Sequence, residues 1–213
     1  RSIITSLILA LFNIKSILEI HTELTGLTKI IFFLTKFKVV KKNLKFIFIN
    51  EYLRNKFRIE KKNSIILFDA VDYRDFKVKN SKLVENTCFY SGSFARGKCL
   101  EIIMKLSKEL PNINFHLYGN KETIYDKSIL IKKTKNVFFK GYITYSELVK
   151  KIKKYRVLLM PYQNNVGVLI KNVNVANYFS PLKMFDYLAS GKSILASDLP
   201  VYRNILKNNQ NSL

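Results

Sequence analysis

Ser180–Pro200 reads SPLKMFDYLASGKSILASDLP, a stretch that carries a helix, a strand and the punctuation between them. Ser180 is a good N-cap, Pro181 fits the first helical position, and Gly191 fits the C-terminal stop. Leu182, Phe185, Leu188 and Ala189 would make the buried face. Ser193–Ala196 follows at once as a short apolar run of strand type. Helices alternating with strands in this way build βαβ units and parallel sheets.

The same alternation runs along the rest of the chain. Candidate strands are Ser16–Ile20, Lys45–Ile49, Ser64–Phe68, Cys88–Ser91, Asn114–Tyr118, Val137–Phe139 and Val157–Met160, with helical stretches at Cys99–Leu110 and Ser146–Lys153. The fold class expected is α/β with parallel sheets, which bind ligands at the carboxyl ends of their strands. Asp69–Phe76 (DAVDYRDF) is a polar connection after a strand, and Lys77–Asn86 is polar with no apolar period. A division near residue 80 follows, into 1–79 and 80–213. The first part is too short for a complete Rossmann-like domain and the second lacks its closing elements, so both are expected to be incomplete. A chain that opens on Arg1 is expected to be a fragment.

Hydrophobic residues make up 48% of the 213 and charged residues 24%, a globular balance that excludes a disordered chain. Lysine and arginine number 37 against 15 acids, a net charge of +22. Such a charge suits nucleotide phosphate, a lipid headgroup or nucleic acid. It equally suits solvated lysines, because they are spread along the whole chain. Cys88 and Cys99 make neither a disulfide framework nor a metal spacing, so reduced thiols in a cytoplasmic protein are expected. The apolar opening Ile3–Phe12 is shorter than the ~20 residues of a membrane span. No small-residue cleavage site follows it, and a buried helix is expected. Read as a helix, Lys29–Lys42 has an apolar stripe (Ile30, Ile31, Phe33, Leu34, Phe37, Val40) and a basic face (Lys29, Lys36, Lys38, Lys41, Lys42). That profile fits an interfacial membrane helix and also an ordinary core-packed surface helix.

Gly92–Cys99 (GSFARGKC) follows a strand and opens a helix, where backbone N–H groups and Lys98 can be aimed at a phosphate. The spacing matches the start of a P-loop, G-x-x-x-x-G-K, but Cys99 stands where the Mg²⁺-holding Ser or Thr belongs. Ile65–Asp69 imitates a Walker B strand, although it precedes the loop. The plain alternative for Lys98 is a solvated first-turn lysine. Lys183, near the start of its helix, opposes the dipole unless an anion binds there. Its plain alternative is an i,i+3 pair with Asp186. Asp186 could accept bonds from ribose hydroxyls.

SPLKMFDYLASGKSILASDLP resembles the signature segment of glycosyltransferase family four, SPLK-x-x-E-Y-M-A-x-G-K-P-I-x-A-S-D-x-P. FYSGSFARGKCLEII is similar to that family's V-G-R-x-x-x-x-K-G phosphate loop. VFFKGYITYSELVKKI resembles its strand–loop–helix beside the nucleobase, VLLMPY the following strand, and DAVDYRDF the interdomain link N-G-V-D-x-x-x-F. The resemblance spans roughly half the chain, Thr87–Pro200, and implies the GT-B fold of two Rossmann-like domains. It also implies a retaining transfer from a nucleotide-diphosphate sugar to a glycan or lipid-linked acceptor, with no metal or other cofactor. Cell-surface polysaccharide or lipopolysaccharide synthesis on the cytoplasmic side would be the setting; the basic surface and Lys29–Lys42 separately predict peripheral membrane association.

By the same resemblance Lys98 would neutralise the diphosphate and Asp186 hold the ribose. Backbone amides at Pro181, Leu182 and Lys183 would face the phosphates, less the N–H that proline lacks, and Ser180 beside them would belong to the donor-binding set. Gly141, Tyr142 and Ile143 would flank the base, their plain alternative being a loop before the Thr144…Glu147 capping box. His21, ending the strand in ILEIHTE, matches a family histidine near the reacting centre, and a structural role is its alternative. His116 in INFHLYG reads as structural. Three departures stand out: Ser93 replaces the loop arginine, Cys99 the glycine after the lysine, and Tyr178 the first acid of the E-x7-E pair. The rivals are a GT-B epimerase or phosphorylase, a nucleic-acid binder and a P-loop NTPase. The first should show additional catalytic acids or a cofactor lysine, and the second should cluster basic and aromatic residues on one face. A nucleic-acid partner is not expected.

Overall fold

The computed structural model describes residues 2–77, 82–131, 133–167 and 174–213. The chain forms two compact units, one of residues 1–69 with 178–180, the other of residues 70–177 and 181–213. The division anticipated between 79 and 80 falls outside the described residues.

In the first unit the order is α1 (Ile3–Leu11), β1 (Ser16–Ile20), α2 (Gly26–Phe33), α3 (Lys38–Asn43), β2 (Leu44–Phe48), α4 (Glu51–Phe57) and β3 (Ser64–Ile66). The three strands form one parallel sheet in the order β1-β2-β3, with Ser16 opposite Leu44 and Phe46 opposite Ser64. Leu18, Leu44, Phe46 and Phe48 are buried between the helices. Each such side chain contributes roughly 1.5–3 kcal/mol by leaving water.

Two expectations change here. Helix α1 buries only Ile3, Leu7 and Ala10 of its large apolar complement, leaving Ile4, Ile8 and Leu11 exposed. Lys29–Lys42 is not one helix, because α2 ends at Phe33, a 3₁₀ turn spans Leu34–Lys36, and Phe37 is extended (φ −65, ψ 141) before α3. Phe32 and Val40 are buried, whereas Ile30, Phe33, Leu34 and Phe37 of the expected stripe are exposed.

The second unit contains β4 (Thr87–Ser91), α5 (Leu100–Glu109), β5 (Asn114–Tyr118), α6 (Ser128–Ile131), β6 (Val137–Gly141), α7 (Tyr145–Ile152), β7 (Val157–Met160), α8 (Leu182–Ser190) and β8 (Ser193–Ala196). All five strands are parallel, in the order β6-β5-β4-β7-β8. β4 lies at the centre, and its Phe89 and Tyr90 are covered on both faces, as strands of parallel sheets require. The two parallel sheets are the α/β architecture expected from the alternation of elements.

Helix α8 departs from its sequence reading in two respects. It starts at Leu182 with Pro181 as its N-cap, so Ser180 does not cap it. Its inward face is Met184, Asp186 and Tyr187, whereas Leu182 is exposed and Phe185, Leu188 and Ala189 are half-buried. The reason is Tyr187, which is fully buried and receives a hydrogen bond from the Ser91 N–H at 3.1 Å. That contact sets the rotation of the helix and brings Lys183, one turn earlier, inward as well.

Candidate functional site

The five-stranded sheet reverses direction at β4: β5 and β6 lie on one side, β7 and β8 on the other. The space beyond the carboxyl ends of strands at such a reversal is where open parallel sheets hold ligands. Gly92–Lys98 leaves β4 at this point and Pro161–Gln163 leaves β7. The two loops are tied together by the Gln163 N–H donating to the Gly97 carbonyl at 2.8 Å. Gly97 (φ +74) must be glycine, since a Cβ there would collide with the Asn165 carbonyl.

Within the loop the Phe94 N–H donates to Thr123 Oγ1 at 2.8 Å, and Lys98 Nζ donates to Ser93 Oγ at 3.0 Å. Burial lowers the Lys98 pKa from its ordinary value. The first turn of α5 already holds an acid, Glu101, whose carboxylate accepts the Gly97 N–H at 3.2 Å. Cys99 is fully buried, and burial pushes its thiol up to about 12, so it is neutral. The P-loop arrangement is not formed: Ile65 and Ile66 belong to the three-stranded sheet, whereas Gly92–Lys98 follows the central strand of the other.

Lys183 crosses the same loop from α8. Its Nζ lies 3.8 Å from the centroid of the Tyr90 ring and 5.1 Å from that of Tyr162, a cation–π arrangement. The nitrogen is enclosed and has no hydrogen-bond acceptor among the described residues. Desolvation brings its pKa down to about 7, and the nearby Lys98 charge adds to the effect. Asp186, three residues on, is buried, and its Oδ1 likewise has no partner. Burial raises its carboxyl to about 6, opposed by hydrogen bonding from Tyr145. Lys183 and Asp186 do not form the i,i+3 salt bridge that the spacing allows, since Nζ and Oδ1 both remain unpaired among the described residues. A buried ammonium without an acceptor and a buried carboxylate with one unpaired oxygen are each costly, and an anion with hydroxyl groups would satisfy both.

The chain is similar in structure to solved glycosyltransferases. It superposes on HepE of Anabaena, solved in complex with UDP, with a TM-score of 0.72 at 10% identity, covering 99% of this chain and 61% of that one. Against S. aureus TarM, solved with UDP among its ligands, the TM-score is 0.64 at 17% identity over 93% of this chain and 40% of that one. The sucrose-phosphate synthase of Thermosynechococcus elongatus gives 0.61 at 14% identity, over 92% and 53%. The fold is of the GT-B type. No protein-family model matches the chain, and no curated protein matches it in sequence. The chain spans about 60% of the length of HepE.

In a GT-B frame the second unit gathers most of the expected site at one edge of its sheet. The Gly92 N–H donates to the Tyr118 carbonyl and the Gly119 N–H to the Gly141 carbonyl, both at 2.9 Å, which levels the ends of β4, β5 and β6. Gly141 has φ +81 and turns the chain into exposed Tyr142 and half-buried Ile143. The Thr144–Glu147 capping box forms as expected behind them. Ser93, Lys98, Gly141, Tyr142, Ile143, Lys183 and Asp186 thus share the carboxyl-end edge. Pro181 and Leu182 lead into α8 there, Pro181 accepting the Met184 N–H at 2.8 Å.

Ser180 and His21 belong to the first unit. His21 follows the end of β1 in a depression of about 380 Å³ lined by Ile3, Glu19 and Thr22, and its Nε2 lies 2.9 Å from Glu19 Oε1. His116 is structural, as read: its Nδ1 meets the Tyr155 hydroxyl at 2.9 Å, and burial takes its pKa down to about 4.

Sequence reasoning did not single out Tyr90, Tyr145 or Tyr162. Their roles arise from side chains that converge across elements, and no local spacing signals that. Gly92, inside the recognised loop, was not assigned a contact, yet it is the residue Lys183 lies against.

Proposed function

We propose that this chain carries the donor half of a retaining glycosyltransferase of family four. It would move a sugar from a nucleotide-diphosphate sugar to a glycan or lipid-linked acceptor in cell-surface polysaccharide synthesis. The observation that carries the reading is the enclosed Lys183 ammonium, poised over the loop that also holds Lys98 and lacking any acceptor. A diphosphate at this edge supplies the missing acceptors. The neighbours solved with UDP support the choice of ligand.

Glycosyl transfer builds negative charge on the departing diphosphate, so fixed positive groups that face it lower the barrier. Lys98 and Lys183 supply that charge here, together with the amides of Leu182 and Lys183 at the start of α8. On this reading no metal or other cofactor is needed. Ser93 adds a hydroxyl where the family carries an arginine. Asp186 accepts the ribose hydroxyls, and Gly141, Tyr142 and Ile143 border the base. His21 donates to a phosphate or sugar hydroxyl near the reacting centre, and Ser180 belongs with the donor-binding residues. The enzyme works in the cytoplasm, held peripherally on an anionic membrane surface. Among the described residues no helix is long and apolar enough to cross a membrane.

Calorimetric titration of UDP, GDP and ADP, with Lys98→Ala and Asp186→Ala alongside, tests the proposal. Micromolar binding of one diphosphate in the presence of EDTA, weakened by both substitutions, is expected. Binding of none of them, or of a triphosphate only with Mg²⁺, overturns it.

A further inference from the structure

The connection from β5 to α6 fastens the 92–98 loop near both of its ends. Near the start, Thr123 Oγ1 accepts the Phe94 N–H at 2.8 Å and in turn donates to the Asn120 carbonyl at 2.6 Å. The Phe94 ring is fully buried edge-to-face on Phe139 of β6, 5.3 Å between centroids. Near the end, Glu101 Oε1 accepts both the Gly97 N–H at 3.2 Å and the Tyr125 hydroxyl at 2.7 Å. Burial and the Glu101 carboxylate push the Tyr125 phenol well above its ordinary range, so the hydroxyl keeps its proton and donates. A 3₁₀ turn, Lys121–Thr123, separates the two fastenings, and the Asn120 side chain caps it by accepting the Glu122 N–H at 3.0 Å.

Lys98 follows the second fastening directly. The Gly97 peptide is held on one side by Glu101 and on the other by the Gln163 N–H, which donates to the Gly97 carbonyl. The Lys98 N–H donates to the Ala95 carbonyl at 3.2 Å, so the backbone under this side chain is held at successive peptides. Glu101 does its holding at a cost. Its Oε2 is enclosed and meets no donor among the described residues. A buried carboxylate oxygen without a partner destabilises a fold, and such a group calls for a role that retains it. An ionised acceptor binds N–H and O–H donors roughly twice as strongly as a neutral one, which suits a clamp.

We propose that Glu101 and Tyr125 are positioning residues of the donor site. The Glu101 carboxylate, steadied by the Tyr125 hydroxyl, fixes the Gly97 peptide and so the direction from which Lys98 reaches the diphosphate. The connection from β5 to α6 thereby takes part in phosphate recognition without touching the ligand. The inference rests on Lys98 facing the diphosphate, as the functional reading has it, and names what aims the lysine there.

The test is calorimetric titration of the whole chain with whichever of UDP, GDP and ADP it binds. Glu101→Ala should weaken that diphosphate by about tenfold or more, and Tyr125→Phe by about threefold or more. Glu101→Gln, a neutral acceptor in the same place, should recover part of the alanine loss. Both losses should shrink to less than about twofold when Lys98 is already alanine, because a positioning residue acts only through the group it positions. Tyr125 is 44% exposed, so Tyr125→Phe keeps the fold even where Glu101→Ala does not, and urea denaturation checks each variant. Undiminished losses in the Lys98→Ala background overturn the proposal, since they would mean general damage to the loop. Unchanged affinity in both single variants overturns it as well. A parent that binds no diphosphate overturns the donor-site reading and this inference with it. Binding by the parent without coupling to Lys98 overturns this inference alone.

Discussion

A Cβ added to Gly92 would stand 2.5 Å from Lys183 Nζ and 3.1 Å from its Cε, so the end of β4 and the first turn of α8 share one space. Gly92 also has φ +140, which side-chain-bearing residues rarely adopt. Gly92→Ala should therefore move the lysine off the Tyr90 ring and strain the loop. We expect a stability loss of about 1–3 kcal/mol and a fall in diphosphate affinity of at least about tenfold. Urea denaturation and calorimetry read the two effects separately. Unchanged affinity in a destabilised variant would remove Lys183 from the phosphate site.

The same lysine sets a pH dependence with a definite sign. Its pKa is about 7 in the fold against an ordinary 10.5. Between these values the unfolded chain holds a proton that the folded chain does not, so its contribution to stability rises with pH from 7 to 10.5. Asp186 works the other way: at about 6 against 3.8 the folded chain holds the extra proton, and stability falls as pH rises through that window. Lys183→Met fills the space without a charge to desolvate. The variant should be more stable than the parent at pH 7, and its urea midpoint should climb less steeply between pH 7 and 9.5.

Diphosphate binding should show the complementary trend. An anion favours the charged ammonium and pulls the Lys183 pKa back up, so binding takes up a proton near neutral pH. Affinity should fall by up to about tenfold per pH unit above 7, where the ligand itself stays fully ionised. Titrations in buffers of different ionisation enthalpy count the protons taken up. No uptake at pH 8 would mean that the phosphate does not reach Lys183.

Much of this architecture was legible in the sequence because strand and helix periods are local. Ser16–Ile20, Asn114–Tyr118, Val157–Met160 and Ser193–Ala196 coincide with observed strands. The Thr144–Glu147 capping box was likewise visible, since both partners lie within one turn. Two things were not readable. The face of α8 was misjudged because Leu182, Phe185 and Leu188 follow a helical spacing as well as Met184 and Tyr187 do. The tie from Ser91 to Tyr187, across 96 residues, decides between them. The outward turn of α2 was hidden for a similar reason: periodicity shows that a helix has an apolar side, and only the fold shows which way it faces.

Asp186→Asn should separate ligand recognition from folding. The carboxylate is buried, and Oδ1 waits unpaired for a donor. Losing a charged acceptor for the ribose hydroxyls should weaken nucleoside diphosphate binding by roughly 10- to 100-fold. Stability should hold or rise slightly at pH 7, because a desolvated charge is removed. Inorganic pyrophosphate, which has no ribose, should bind the variant and the parent alike. Equal losses for both ligands would reassign Asp186 to the phosphates.

Asn136 offers a change that should act on the fold alone. Its Nδ2 lies within hydrogen-bonding distance of the Ser107, Leu110 and Ile113 carbonyls, at 3.0, 3.0 and 2.8 Å. Two of these belong to the last turn and cap of α5, whose final carbonyls have no partner inside the helix. Asn136→Ala removes the shared donor; the Leu110 carbonyl keeps the Ile113 N–H at 3.1 Å, whereas the Ser107 and Ile113 carbonyls lose this partner, at a cost of about 2 kcal/mol. Asn136 precedes β6, whereas Lys98 and Lys183 lie beyond the carboxyl ends of the strands, so diphosphate affinity should stay within about twofold of the parent. A large loss of affinity together with the expected loss of stability would show that the end of α5 is coupled to the loop at its start.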